Sequence, residues 1–289
     1  MKNLSMNKTV LAVALAAGMG LGGTSAMALV LNPFTVNEGS VPGAGPNIIT
    51  NAGGFSGAYT EIATFDGAGN FSTSIKWTAG SIYDTSNTVI GSQLNYPIGT
   101  TGYGMYGLFV AGGTYVTVAG VTTFTFNPGG SLGLYIDPDR NTDLTTAPAN
   151  GSTAWTPGGV TTDDYQVASG AALGGTGSLN PFLSTCNNPL NPGGVGNFCG
   201  SFGVNTSFDL TNPNGPLYFT SPSPFYNLSF NSGQLKSFDV AGTQEISGSL
   251  DVNFARATVP EPGTIALLGF GLLGMCMAKR GRKKDLNQA

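Results

Sequence analysis

Apolar and polar positions alternate with a period of two over several stretches of the chain. Phe124 and Phe126 carry the pattern in residues 122–126, Leu132, Leu134 and Ile136 in 131–136, and Leu250, Val252 and Phe254 in 246–254. Successive side chains of a strand point to opposite faces, so this pattern predicts strands with one buried face. Residues 71–78, 115–118, 207–210 and 226–230 predict further short strands. Turn-forming runs such as Asn127-Pro128-Gly129-Gly130 and Asn231-Ser232-Gly233 separate them. No sustained helical period occurs between residues 29 and 258. The expectation is an all-β body, a β-sandwich or jelly-roll-like arrangement with long Gly/Pro/Asn-rich loops. Residues 147–204 are poorest in pattern and are expected to form a long surface excursion from it. The order of the strands does not follow from the pattern.

The two ends of the chain read differently. Lys2 and Lys8 precede an apolar stretch at 10–21, and Ala26-Met27-Ala28 has the small-x-small form of a signal cleavage site. Residues 1–28 are therefore expected to be a helical secretory signal peptide, cut after Ala28. At the other end Pro260-Glu261-Pro262 is followed by an uncharged stretch, 263–278, and then by Lys279, Arg280, Arg282, Lys283 and Lys284. As a helix rising ~1.5 Å per residue, 263–278 would cover roughly 24 Å. That is slightly less than the ~30 Å hydrocarbon core, a gap that snorkelling cations can close. It predicts one transmembrane helix, with the basic cluster and a tail at 285–289 in the cytoplasm and the body across the membrane. The two prolines hold the segment around Glu261 extended, as a proteolytic enzyme requires.

This order, Pro260-Glu261-Pro262, a short apolar helix, and an Arg/Lys cluster interrupted only at Gly281, resembles the PEP-CTERM sorting signal of exopolysaccharide-producing Gram-negative bacteria. The resemblance implies recognition by exosortase, a membrane-embedded cysteine enzyme that cuts near the motif and releases or transfers the body. Domain organisation then reads as signal peptide 1–28, secreted body 29–258, sorting signal 259–284 and tail 285–289. The body is expected first in the periplasm, transiently anchored to the inner membrane, and then at the cell surface or in the extracellular matrix.

Removing both ends changes the charge. The chain has 11 basic and 15 acidic residues, but 29–260 keeps only Lys76, Arg140, Lys236 and Arg256 against 13 acids, a net charge of −9. Such a body has no cationic footprint for nucleic acid or anionic lipid. Charged residues are 9% of the chain, well under the ~25% of ordinary domains, so solubility falls to Ser, Thr, Asn and Gly. Frequent Phe and Tyr at alternate positions distinguish it from a disordered chain.

The chain contains no histidine, which removes Ser-His-Asp and Cys-His nucleophiles and His-based zinc sites. A two-carboxylate hydrolase would still be open, with Glu61, Asp66, Asp163, Asp164 and Asp209 as candidate acids. No local motif pairs them, and Asp163-Asp164 reads as a solvated turn. The richest oxygen-ligand run is Asp137-Pro138-Asp139-Arg140-Asn141-Thr142-Asp143. Asp137, Asp139, Asn141 and Asp143 alternate as in a calcium loop. Thr142 stands where such a loop wants glycine, Arg140 adds positive charge, and no bidentate Glu follows. The run therefore reads first as an Asx-rich turn and second as a calcium site; no other cofactor is expected. Trp77, Trp155, Tyr103 and Tyr106 are candidates either for core packing or for a sugar-stacking platform. Cys186 and Cys199 are the two cysteines of the body and are expected to pair after export, closing a loop worth roughly 3 kcal/mol on the chain-entropy model. The alternative is a reactive thiol or metal pair.

A second resemblance covers much of the body. Pro222-Ser223-Pro224-Phe225-Tyr226-Asn227-Leu228-Ser229-Phe230, Ser232-Gly233-Gln234-Leu235, Gly242-Thr243-Gln244 and Ile246-Ser247-Gly248-Ser249-Leu250-Asp251-Val252 are similar to the C-terminal half of flocculation-associated PEP-CTERM proteins. Thr60-Glu61, Phe65, Lys76-Trp77 and Leu134-Tyr135-Ile136-Asp137-Pro138 are compatible with the same family. The resemblance implies a secreted, non-enzymatic matrix protein that promotes floc and biofilm cohesion with exopolysaccharide, with self-association as a further means. A lectin-like module, calcium-assisted or not, is the alternative, and a carboxylate-based matrix hydrolase the third reading.

Overall fold

The computed structural model describes residues 31–95, 101–233, 235–236 and 238–255. The expected signal peptide, including Ala26 and Ala28, the sorting signal and the 263–278 segment lie outside the described residues. Among the described residues no helix is long and apolar enough to cross a membrane.

Among the described residues nine strands carry the main ladder of the body: β1 (Ile48–Phe65), β2 (Asn70–Asp84), β3 (Gly104–Val118), β4 (Val121–Phe126), β5 (Gly129–Asp137), β6 (Tyr165–Leu179), β7 (Phe198–Thr206), β8 (Asn227–Ser232) and β9 (Gly242–Ala255). β4 and β5 are two halves of one run. Both lie antiparallel between β3 and β6, β4 against the C-terminal half of β3 and β5 against its N-terminal half. Every other strand pairs antiparallel with its neighbour in sequence, β6 with β7, β7 with β8 and β8 with β9. β9 then returns to β1 in unbroken register from Gly242↔Phe65 to Asn253↔Gly54. The body is all-β, as the alternation indicates. Its ladder runs round as one closed up-and-down ring, not as the two separate sheets of a sandwich or jelly roll.

Alternation sorts the ring into an apolar inside and a polar outside. On β9, Ile246, Leu250, Val252 and Phe254 are buried, while Thr243, Glu245, Ser247, Ser249 and Asp251 face water. That is the reverse of a lipid-facing barrel, whose outward positions are apolar.

Large rings fill this interior by lying over cross-strand glycines. Phe71 pairs with Gly113, Trp77 with Gly107, Phe202 with Gly177 and Tyr59 with Gly248. A Cβ on Gly113 would stand 2.7 Å from the Phe71 ring, on Gly177 2.8 Å from Phe202 Cβ, and on Gly248 2.9 Å from the Tyr59 ring. Trp77 also crosses over Gly57 of β1 to donate its indole N–H to the Leu250 carbonyl of β9 at 3.1 Å. One side chain thus ties β2 to β9 across the strand between them.

These glycines explain where the pattern misleads. Residues 147–204 contain two members of the ring, β6 and most of β7, where a surface excursion is expected. Gly175 and Gly177 on β6 occupy positions between Phe126 and Val204 and between Phe124 and Phe202, so the apolar periodicity sits on the neighbouring strands. Only part of the segment is an excursion: the loop after Asp143 packs on the outside of β2, where Trp155 Nε1 donates to the Ser74 carbonyl at 3.1 Å and the Lys76 ammonium lies 4.3 Å over the Trp155 ring. Residues 207–210 yield only the two-residue strand Asp209–Leu210.

Strand directions put the start of β1 and the end of β9 at the same end of the barrel, here the terminal end. It is covered by the strand Phe34–Asn37, which pairs with β1 and with Phe219–Ser221, and by helix α1 (Asn214–Tyr218). Phe34, Phe55, Phe219 and Phe254 cluster there with centroids 4.7–6.3 Å apart. Beneath them the fully buried Glu38 carboxylate accepts from Tyr103 Oη at 2.9 Å, the Gln93 N–H at 3.0 Å, Ser92 and Asn47. Buried carboxyl oxygens are tolerated when they are so completely hydrogen-bonded.

Gly57 tests this packing rule. A Cβ there would meet the Thr78 carbonyl oxygen at 2.2 Å and Trp77 Nε1 at 2.6 Å, whereas at Gly91 it would meet nothing within 4 Å. Gly57→Ala should cost about 3 kcal/mol in urea unfolding and Gly91→Ala well under ~1 kcal/mol. Equal losses at the two positions would contradict the rule.

Candidate functional site

The end of β5 and the start of β6 bring carboxylates together. Ile136 pairs with Tyr165, which sets Asp137, just beyond Ile136, beside Asp163 and Asp164, just before Tyr165. One oxygen of each of the three lies within 4.8 Å of the others. Tyr106 Oη donates to Asp164 Oδ2 at 2.7 Å and Thr142 Oγ1 to the same oxygen at 2.6 Å. Asp163 Oδ1 and Asp164 Oδ1 are buried and have no hydrogen-bond partner among the described residues. Burial pushes the Asp137 carboxyl up and the Asp164 charge adds to it, while backbone N–H groups of Thr142 and Asn141 pull the other way. Burial first, and then its bond to Asp164, likewise pushes the Tyr106 phenol up.

Of the four loop oxygens that suggest a calcium loop, only Asp137 belongs to this group. Asp139 is exposed and approaches through its backbone N–H, which donates to Asp163 Oδ2 at 3.3 Å. Asn141 likewise contributes an N–H, to Asp137 Oδ1 at 3.3 Å, and Asp143 Oδ1 turns away to accept the Thr145 N–H at 2.7 Å. The reason is local: the chain reverses at Arg140, whose φ is 55°, and Thr142–Asp143 pairs with Gly158–Gly159, so the loop folds as a turn stabilised by Asp137. Asp163-Asp164, expected as a solvated turn, is half-buried and supplies the other two carboxylates. Their signal, an acidic pair before a strand, gains meaning only once β5 and β6 are known to be neighbours. Arg140 stands at the same corner, its Nε and Nη1 buried and without a partner among the described residues. Hard oxygen donors of this kind suit a calcium-type cation.

Other candidates fall elsewhere. Trp77, Trp155, Tyr103 and Tyr106 are all buried, so they offer no sugar-stacking platform. Trp77 and Tyr103 belong to the interior, Trp155 anchors the outer loop, and Tyr106 stacks on Tyr135 at 5.1 Å. Glu61 is buried on the inward face of the barrel and Asp209 lies exposed on a short strand. Asp66 sits in an exposed turn, its carboxyl pulled down by the side-chain amide and then the backbone N–H of Asn70. Cys186 and Cys199 form a disulfide, Cα atoms 4.7 Å apart, that gathers the β6–β7 loop.

Pro260, Glu261, Pro262 and the cations Lys279, Arg280, Arg282, Lys283 and Lys284 are outside the described residues. Residues 258–283 match the PEP-CTERM protein-sorting motif, the signature of an exosortase substrate. No curated protein and no solved structure matches the chain.

Proposed function

We propose that this chain, exported and sorted through the PEP-CTERM motif at 258–283, works outside the cell as a non-enzymatic matrix protein that promotes floc and biofilm cohesion with exopolysaccharide. The sorting motif is the observation that carries this reading. The barrel adds physical support. Its exterior is a field of hydroxyl and amide groups, including the exposed cross-strand hydroxyl pair Thr64–Thr243 at 2.9 Å, suited to many individually modest hydrogen bonds with glycans. Because the ring is closed, copies would not join by adding strands at an open edge. Self-association would instead use the end opposite the termini, where Val116, Val118, Phe182, Leu190 and Val195 are exposed. In cells that still make polysaccharide but lack this chain, the full sequence should restore settling, and a variant lacking 29–258 but keeping both terminal segments should not. Full flocculation by that variant would overturn the proposal.

The acidic corner favours a second reading, a lectin-like module assisted by calcium. Asp137, Asp163 and Asp164 would hold the ion, with the unpaired oxygens of Asp163 and Asp164 as ligands. Calcium in excess should raise Tm by roughly 3–5 °C and leave Asp164→Asn unchanged. A glycan array should show selective binding that a chelator abolishes. A flat array and an unmoved Tm would remove this reading.

A further inference from the structure

The barrel end away from the termini contains a cavity that neither reading uses. It lies inside the ring among Phe65, Phe124, Phe202 and Leu235, and Phe238 covers it. About 330 Å³ there is free of protein atoms, part of it continuous with solvent. Phe238 comes from the connection between β8 and β9, not from a strand of the ring. Half-buried, it stacks on Phe65 at 6.0 Å (19°) and on Phe124 at 6.1 Å (29°). With that ring seated, the remaining space admits little more than water.

Among the described residues Glu61 is the single polar side chain in the lining. Its inward place on β1 leaves it 6% exposed. Thr73 Oγ1 donates to Glu61 Oε1 at 2.5 Å, and among the described residues Oε2 has no hydrogen-bond partner. Burial pushes this carboxyl up to about 7, against the pull of the Thr73 bond. With Oε1 accepting, the proton belongs on Oε2. Few other ionisable groups face it. Tyr59, two residues back on the same face of β1, packs edge-on to Phe202 at 5.9 Å, and its buried hydroxyl has no partner among the described residues. β2 presents Thr73, β7 presents Phe202 and β9 presents Ile246, while Asp66, Lys236, Asp239 and Glu245 are exposed.

We propose that this mouth binds a small neutral aromatic molecule carrying a hydrogen-bond acceptor, such as an aryl ketone or ester. The ligand's ring replaces Phe238 against Phe65 and Phe124, and its acceptor receives the proton of Glu61. Offset and tilted rings at these separations attract one another, and a concave apolar pocket with one placed polar group is the usual form of a small-molecule site. An acidic, histidine-free body thereby gains a second, selective kind of contact besides its glycan-facing exterior.

The test uses 4-fluoroacetophenone and the full-length chain in lipid nanodiscs, read by fluorine NMR, with empty nanodiscs as background. Saturable binding should weaken about tenfold from pH 6 to pH 8, as one carboxyl titrating near 7 loses the proton it donates. In Glu61→Gln, which keeps a donor at every pH, affinity should change by less than about twofold over that range. Phe238→Ala removes the competing ring without touching Glu61 and should bind more tightly than the parent chain. No saturable binding by the parent, an undiminished pH dependence in Glu61→Gln, or weaker binding by Phe238→Ala would each overturn the proposal.

Discussion

Aromatic rings lying over cross-strand glycines are the constraint on which the rest of this protein depends. Closing about eight strands into a ring leaves an interior just wide enough for side chains to fill. Here Phe71, Trp77, Phe202 and Tyr59 fill it, each beside a residue without Cβ. The 45 glycines of the chain therefore do not mark a loose or disordered body. Several are the sites that let a large ring lie flat against the neighbouring backbone, as Gly57 lets Trp77 reach β9. The same economy of side chains leaves few charges, and the two innermost carboxylates, Glu38 and Glu61, are held by opposite means. Glu38 is surrounded by donors; Glu61 has Thr73, and burial pushes its carboxyl up to about 7.

Closure also separates the body from its address. β9 ends at Ala255 and the matched motif begins at 258, so the chain leaves for the sorting segment from the terminal end of the barrel. The disulfide loop, the exposed Val116, Val118, Phe182, Leu190 and Val195, and the Glu61 cavity lie at the other end. A tether attached through the C-terminus thus leaves the mouth farthest from the attachment point. The ring has no free edge of its own, a useful property for a protein concentrated at a surface, where exposed strands would pair indiscriminately.

Much of this was legible in the residues. Alternation at Phe124/Phe126, Leu132/Leu134/Ile136 and Leu250/Val252/Phe254 located β4, β5 and β9, and the export context of Cys186 and Cys199 indicated their pairing. β1 and β6 were hidden because their inward positions include Gly57, Glu61, Gly175 and Gly177, residues that break a hydrophobic period while the neighbouring strands carry the bulk. Ring closure was hidden for a different reason: it depends on β9 meeting β1 across nearly the whole body, and local pattern says nothing about such distant partners. The acidic corner failed in the same way. Asp137 was visible within its own loop, but Asp163 and Asp164 join it only through the β5–β6 ladder.

On the proposed function the barrel is the working part and the C-terminal segment its address. The intact mass of the protein recovered from the cell surface, measured without reduction, tests this most directly. The predicted mass corresponds to a chain beginning at Leu29, ending before the apolar 263–278 segment, and two hydrogens lighter for the Cys186–Cys199 bond. A surface form that retains the chain through Lys284 would contradict it.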